Sequence, residues 1–562
     1  MKNWIAVSSL LLGLALLPAA GQAGEPRQAA WPSLDRQLSQ ARAVPGSALE
    51  ALIRENQDFS LLRAGEANDK IPVPAWLRVW WRKGHPNMVY SAADPSGGYP
   101  HVLKEIHQWM LSHQDFVRGL PDVAMSPMAE TDGIVGISLA ATVGANTRIS
   151  GLQTSPRSES DIRINFWNPS KIIGGSNSIV ASGAQSQFYS ADGGVTWGQT
   201  SLPFTGTDSF HSDPTVDWTS DGTAWATTIG IKGNALRLRA YKSTNGGATW
   251  TFDNTFSGSQ RNADKQIMWV DHSATSPYKD NIYVCWHNGT PQYVNRRTGP
   301  AGAWGASPLQ VSGAESSGTA IGCDIKTNSA GDVFVFWPTT GNRRIVVAKS
   351  TNGGVSYGAG VVAATTYDGY DIGVPSFNSR RILIYVSGGT YKTATRNEVY
   401  ASWTDLSGDA GCTAAANEPG SNVASTCKTR IWFSRSTNGG TTWSAPAKIN
   451  NQASLNDQFN QWLAVDETTG TIGIMYYDTV ADAGRKKTDV WFQTSTDGGV
   501  TWSAATKVTT AMTDETTATA NLGNQYGDYN SLSGYAGVFF PSWTDRRNNA
   551  KEEIWTAPIT VP

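Results

Sequence analysis

The sequence predicts an all-β fold, a β-propeller of four-stranded antiparallel blades preceded by a small helical segment. Three observations lead there. Five octapeptides of one pattern recur: Ser190–Trp197, Ser243–Trp250, Ser350–Tyr357, Ser436–Trp443 and Ser495–Trp502. Their separations fit the length of four short strands with their turns. Between them, short β-type runs alternate with Gly-, Ser- and Thr-rich turns.

Each octapeptide reads Ser-x-Asp/Asn-Gly-Gly-x-Thr/Ser-Trp/Tyr, and its chemistry is local. The Asp or Asn side chain can bond backbone N–H groups ahead of it. The Gly pair takes positive φ without steric cost. The closing aromatic buries a large face against a neighbouring unit. These residues therefore read as a hairpin turn with a packing anchor. From Ser190 the steps are 53, 107, 86 and 59 residues. The step of 107 is two periods, with a degraded copy at Asn295–Trp304. The step of 86 is one period plus an insertion around Cys412 and Cys427. Strand candidates follow each unit, at 224–229, 281–286, 332–337, 398–403, 470–477 and 538–543. Six turn-bearing units and a partial one at 526–561 predict seven blades, with six as the other count. A strand near Gly133–Ala140 is expected to complete the last.

Composition bounds the partners. The 562 residues carry 44 basic and 46 acidic side chains, a net charge of −2. No global field draws nucleic acid or an anionic membrane. Residues 1–23 read as a secretory signal: Lys2, an apolar run from Trp4 to Leu17, and small residues for cleavage after Ala23. No later stretch is long and apolar enough to span a bilayer. The chain is expected outside the cytoplasm, secreted or periplasmic. That compartment permits disulfides, and four cysteines can pair as Cys412–Cys427 and Cys285–Cys323. Buried thiols are the other reading.

Residues 24–125 read as the helical segment and 126–562 as the propeller. Ser47 with Glu50 forms a capping box. Pro74 opens Ala75–Trp81, and Pro100 opens a run with Val102, Leu103, Ile106, Trp109 and Met110 at helical spacing. His101 and His107 are six apart, a poor spacing for one helix face, and read as surface or packing residues rather than metal ligands.

In a propeller, the loops entering the innermost strands share one face with those joining the second and third strands. The entering loops carry His211, Asp213, Asp264, Lys265, Asp324, Asp457, Gln461, Asp528 and Tyr529. The other loops carry Trp403 with Asp405 and Trp543 with Asp545, Arg546 and Arg547. Carboxylates with aromatics suit a carbohydrate, and two carboxylates can divide acid and base work. The plainer readings are turn caps for the aspartates, ion pairs of Arg546 and Arg547 with Asp545 or Glu552, and blade packing for the tryptophans. A carboxylate ring could hold Ca²⁺, but no loop has a calcium-site spacing, so no cofactor is expected.

The octapeptides are similar to the Asp-box, or bacterial neuraminidase, repeat. The chain resembles the sialidase-like superfamily over roughly residues 150–562. That resemblance implies three arginines around a substrate carboxylate, a Tyr nucleophile with a Glu partner, and an Asp acid/base. Tyr529-Asn530-Ser531-Leu532 resembles the nucleophile-bearing segment. Arg163 stands nearest the family's early Arg-Ile-Pro segment, although Asn165 replaces the Pro. No Glu stands opposite Tyr529 in the sequence. The resemblance implies an exo-glycoside hydrolase acting on a glycan or glycoconjugate. Tyr529, Asp528, Asp213 and Asp264 are its chemical candidates. Arg163, Arg546, Arg547, Asp457, Trp403 and Trp543 are its substrate-binding candidates. A non-catalytic propeller that binds glycans or a protein, and a polysaccharide lyase, are the alternatives.

Overall fold

The computed structural model describes residues 141–561, apart from 181–182, 207, 314–319, 413–418, 421–424 and 548–550. Before residue 141 it describes the helix Ala75–Gly84 and a few single positions. That helix begins right after Pro74, as expected. The signal segment, the capping box at Ser47, the run after Pro100 with its histidines, and 133–140 lie outside the described residues.

The body is a seven-bladed propeller. Six consecutive four-stranded antiparallel sheets form blades 1 to 6. Their innermost strands are Arg157–Ile164, Phe210–Trp218, Ala263–Val270, Asp324–Thr327, Val386–Lys392 and Gln458–Val465. Blade 7 takes Ser531–Tyr535, Val538–Asp545 and Glu553–Thr556 from the end of the chain. Its outer strand comes from the other end, where Thr147 and Arg148 pair with Thr556 and Trp555, and Thr142 and Val143 with Thr560 and Ile559. Each innermost strand packs on the next, and the seventh on the first. Closing one blade with both ends of the chain ties the two termini together and completes the ring of blades. The expected N-terminal closing strand exists, a few residues later than 133–140.

The Asp-box turns explain the blade contacts. Ser190 Oγ donates to Asp192 Oδ1 (2.8 Å) and accepts from the Gly194 N–H (2.9 Å). Asp192 also accepts from the Thr196 N–H and hydroxyl, and Trp197 Nε1–H donates to the Gly194 carbonyl. Gly194 sits at φ 88°, and a Cβ there would lie 2.7 Å from Phe540 in blade 7. The second glycine is thus needed twice, for its dihedral and for the preceding blade's approach. Where the degraded copy was expected, Arg297 and Trp304 bridge the equivalent turn of blade 3.

Both disulfides are formed: Cys285 of blade 3 bridges to Cys323 at the entrance of blade 4, and Cys412–Cys427 closes its loop. They are compatible with an oxidising extracellular compartment. Among the described residues, no helix is long and apolar enough to cross a membrane.

Candidate functional site at the channel mouth

Strand direction places the site. Each innermost strand runs from the entrance face toward the Asp-box face, because the second strand returns and the third descends into the Asp-box turn. The start of every innermost strand therefore lines one mouth of the central channel.

Four innermost strands bulge at the same level. Register shifts fall at 158/161, 212/215, 264/267 and 459/462. The bulged residue is left-handed in each: Glu159 (φ 54°), Asp213 (57°), Lys265 (54°) and Asn460 (48°). A non-glycine residue in this region costs about 1–3 kcal/mol, and such strain concentrates at functional sites. Here it re-aims four polar side chains.

These side chains meet across the axis. Lys265 Nζ of blade 3 pairs with Asp528 at the entrance of blade 7. The two blades are not neighbours, so the contact crosses the channel. A closed circuit results. Asp528 N–H donates to Glu159 Oε1 (3.1 Å), Asn177 Nδ2 donates to Glu159 Oε2 (2.5 Å), and Asp213 N–H donates to Asn177 Oδ1 (2.8 Å). Lys265 N–H donates to Asp213 Oδ2 (3.2 Å) and closes the ring. Asn460 Nδ2 ties in by donating to the Gly527 carbonyl. Gly527 has φ 78°, and a Cβ would lie 2.6 Å from Glu159 Cγ, so this turn can pass the glutamate only as glycine.

Two tyrosines share the level. The rings of Tyr385, from blade 5, and Tyr529 lie 5.8 Å apart. The Tyr529 hydroxyl is buried without a hydrogen-bond partner among the described residues. Burial first, then the charges of Asp213 and Glu159, push this phenol well above its usual range. It is held protonated beside groups able to accept its proton.

An arm covers the mouth. Between blades 4 and 5, residues 366–385 carry a small hairpin, Asp371–Ile372 with Ile382–Leu383. Phe377 packs on Phe459 and Tyr526, and Gln525 Oε1 accepts from the Arg380 N–H. The Arg380 guanidinium pairs with Asp528, and it lies 3.8 Å from Glu159.

The remaining candidates, Asp264 apart, lie elsewhere. Asp264 is half-buried on the bulge before Lys265, whose N–H donates to it. Asp457 is fully buried and held by Arg485 through Nε (2.8 Å) and Nη2 (2.7 Å), away from the circuit. Arg547 pairs with Asp545 at 2.5 Å and stacks over Trp555. Arg546 bonds Thr519 and faces Glu552 at 3.7 Å. Both thus form the ion pairs that were the plainer reading. Trp543 is buried and donates to Asp545, and Trp403 is packed in the main core. Arg163 lies at the opposite end of the channel. The structure therefore brings Tyr529, Asp528 and Asp213 together and leaves the three arginines apart. Glu159, Arg380 and Tyr385 were not singled out in the sequence. Glu159 had a signal: Ser158-Glu159 aligns with Ser212-Asp213 once the innermost strands are superposed. Arg380 and Tyr385 lie in and just after an insertion, where no repeat points to them.

The fold and site define the class: a seven-bladed Asp-box propeller with a charged axial mouth. A family model, the BNR/Asp-box repeat, matches residues 493–504. No curated protein matches the chain. Solved structures similar to it include a protein of unknown function from Dyadobacter fermentans, at 12% identity and TM-score 0.41, covering 75% of this chain and 99% of that one. The NanB sialidase from Streptococcus pneumoniae is similar at 9% identity and TM-score 0.36, over 63% and 69% of the two chains. The BP39L lectin from Burkholderia pseudomallei is similar at 10% identity and TM-score 0.40, over 62% and 84%.

Proposed function

We propose that this chain is an exported glycoside hydrolase whose reaction centre is the axial cluster of Tyr529, Asp213, Glu159 and Asp528. The Tyr529 hydroxyl, buried without a hydrogen-bond partner among the described residues and subject to the charges of Asp213 and Glu159, carries the reading. A neutral phenol does not repel an anionic sugar, and it gains nucleophilic power when a neighbouring carboxylate takes its proton. Asp213 and Glu159 are the carboxylates that bear on it. One accepts the phenol proton as the glycosidic bond breaks; the other protonates the leaving oxygen and later activates water. Lys265 and Arg380 pair with Asp528 and are the cations the mouth offers to a sugar carboxylate. Entry of a glycan requires the arm at 366–385 to move aside. An α-sialoside is the substrate that the resemblance favours.

Purified protein assayed with a fluorogenic sialoside and a panel of neutral glycosides tests this. Release by the wild type should fall by about 100-fold or more in Tyr529→Phe. Unchanged release would remove the nucleophile. A second reading, a propeller that binds glycans without turnover, is favoured by the arm over the mouth and by the mutual pairing of the circuit's charges. A glycan-array signal without product release selects it. A lyase would use Tyr529 with Lys265 or Arg380 to abstract a proton, and an absorbance rise from an unsaturated product would identify it.

A further inference from the structure

The tip of the arm over the mouth is clasped by residues 513–525, which run between blade 6 and blade 7. Asn378 Nδ2 of the arm donates to the Thr516 carbonyl at 3.0 Å. Gln525 Nε2 donates to Asn378 Oδ1 (2.7 Å) and to the Glu515 carbonyl (2.9 Å), while its Oε1 accepts from the Arg380 N–H. Arg380 Nη1 donates to the Gly523 carbonyl at 3.1 Å. The position of the tip thus depends on the position of this segment.

Blade 7 holds the segment in turn. Arg546 donates to the Asp514 carbonyl and to the hydroxyls of Thr517 and Thr519. The Asn521 N–H donates to Glu552 Oε1. The Glu515 side chain bonds the Glu552 carboxyl. Both glutamates are fully buried, and Oε2 of each finds no donor among the described residues. Two carboxylates offer only acceptors, so a bond between them needs one shared proton. The charges around the pair ask for the same proton. Arg546 Nε lies 3.7 Å from Glu552 Oε1, whereas Asp545 is paired with Arg547. Asp514 accepts from Thr516, and the phenols of Tyr477 and Tyr526 are kept neutral by burial. Two carboxyl groups therefore face one guanidinium. Burial, and then the Glu552 charge, push the Glu515 carboxyl well above its usual range.

We propose that the Glu515–Glu552 pair is a proton-dependent catch that holds the arm over the mouth. With one proton shared, the pair fastens residues 513–525 to blade 7, and the clasp keeps the arm tip in place. When that proton leaves, two buried like charges meet, and the segment and the tip loosen together. A carboxyl group whose folded pKa lies above its unfolded one stabilises at low pH, and that contribution is lost as pH rises through the folded value. The mouth is therefore closed in acid and opens as pH rises. That its opening admits a glycan rests on the proposed function; the catch itself does not.

Hydrogen exchange of the full chain, read by mass spectrometry between about pH 5 and pH 9 and corrected for the intrinsic pH dependence of exchange, tests this. Peptides covering 366–385 and 513–525 are compared with the innermost strand of blade 2. Protection of both should fall together, by about 10-fold or more, while the strand stays protected. Glu515→Gln supplies a donor that does not ionise and should keep both segments protected throughout. Glu552→Gln is the second variant, should the first fail to fold. Asp405 accepts from the Tyr367 and Asp368 N–H groups at the arm's root, and burial raises its pKa to about 7. Both Gln variants leave it in place, so pH dependence that survives in them belongs to Asp405 and overturns the proposal. Protection independent of pH in the wild type, or loosening of 513–525 under a still protected arm, would also overturn it. The readout needs no substrate, so an inactive chain can show the catch and an active chain can lack it.

Discussion

Asp528 shows why the axial circuit matters at the level of single residues. Its carboxylate answers two cations from distant parts of the chain, Lys265 and Arg380. Removing its charge breaks a buried ion pair with each of them, which costs about 3–5 kcal/mol. Asp528→Asn should lower the stability measured by urea unfolding by that much, and a loss below about 1 kcal/mol would show that the pairs are solvated. His272 makes a second residue-level prediction. Burial alone would lower its pKa, but contact with Asp217 at 2.8 Å and the nearby Glu467 raise it to about 9. The folded value lies above the unfolded one of about 6.5. The resulting stabilisation is fully present below pH 6.5 and is lost as pH rises through about 9, an effect of about 3 kcal/mol. Melting temperature followed from pH 6 to 10 should fall in the wild type more steeply than in His272→Gln. Parallel curves would contradict the assignment.

At the scale of elements, the Asp-box turn and the bulged innermost strand divide structure from function. The turn was legible because its side-chain hydrogen bonds are local: Ser190, Asp192, Thr196 and Trp197 bond within one octapeptide. Gly194→Ala should cost about 1–3 kcal/mol, from a strained dihedral and from contact with Phe540. An unchanged melting temperature would mean the blade interface is looser than described. The bulges were not legible. Nothing in Ser212-Asp213-Pro214-Thr215 announces a left-handed aspartate, because the conformation is imposed by pairing with Thr227 to Ile229 and by the next blade. Nor could Asp457 be told from Asp213, since one directly precedes an innermost strand and the other lies near the start of one. Only the position of Arg485, 28 residues onward, decides that Asp457 is consumed in an ion pair. The arm at 366–385 lies in an insertion without periodicity, so the contact of Arg380 with Asp528 had no sequence signal.

For the whole molecule, ring closure does the gathering. Joining both chain ends in blade 7 brings Glu159 against Asp528, 369 residues apart, and Lys265 to the same carboxylate across the channel. The repeat spacing carried that inference correctly as far as architecture and face. It placed Arg163 on the right element but could not say at which end of the channel its side chain would lie, because an eight-residue strand spans much of the channel's depth. On the proposed reading, a glycan displaces the arm over the mouth, and Tyr529 then passes its proton to a carboxylate. The most direct measurement is product analysis by mass spectrometry after incubating a glycan library with the protein in ¹⁸O-enriched water. A hydrolase whose nucleophile is Tyr529 will give products carrying one heavy oxygen per bond cleaved, and Tyr529→Phe will give almost none. Unlabelled unsaturated products, no product from any glycan, or equal labelling by the Tyr529→Phe protein would contradict the account.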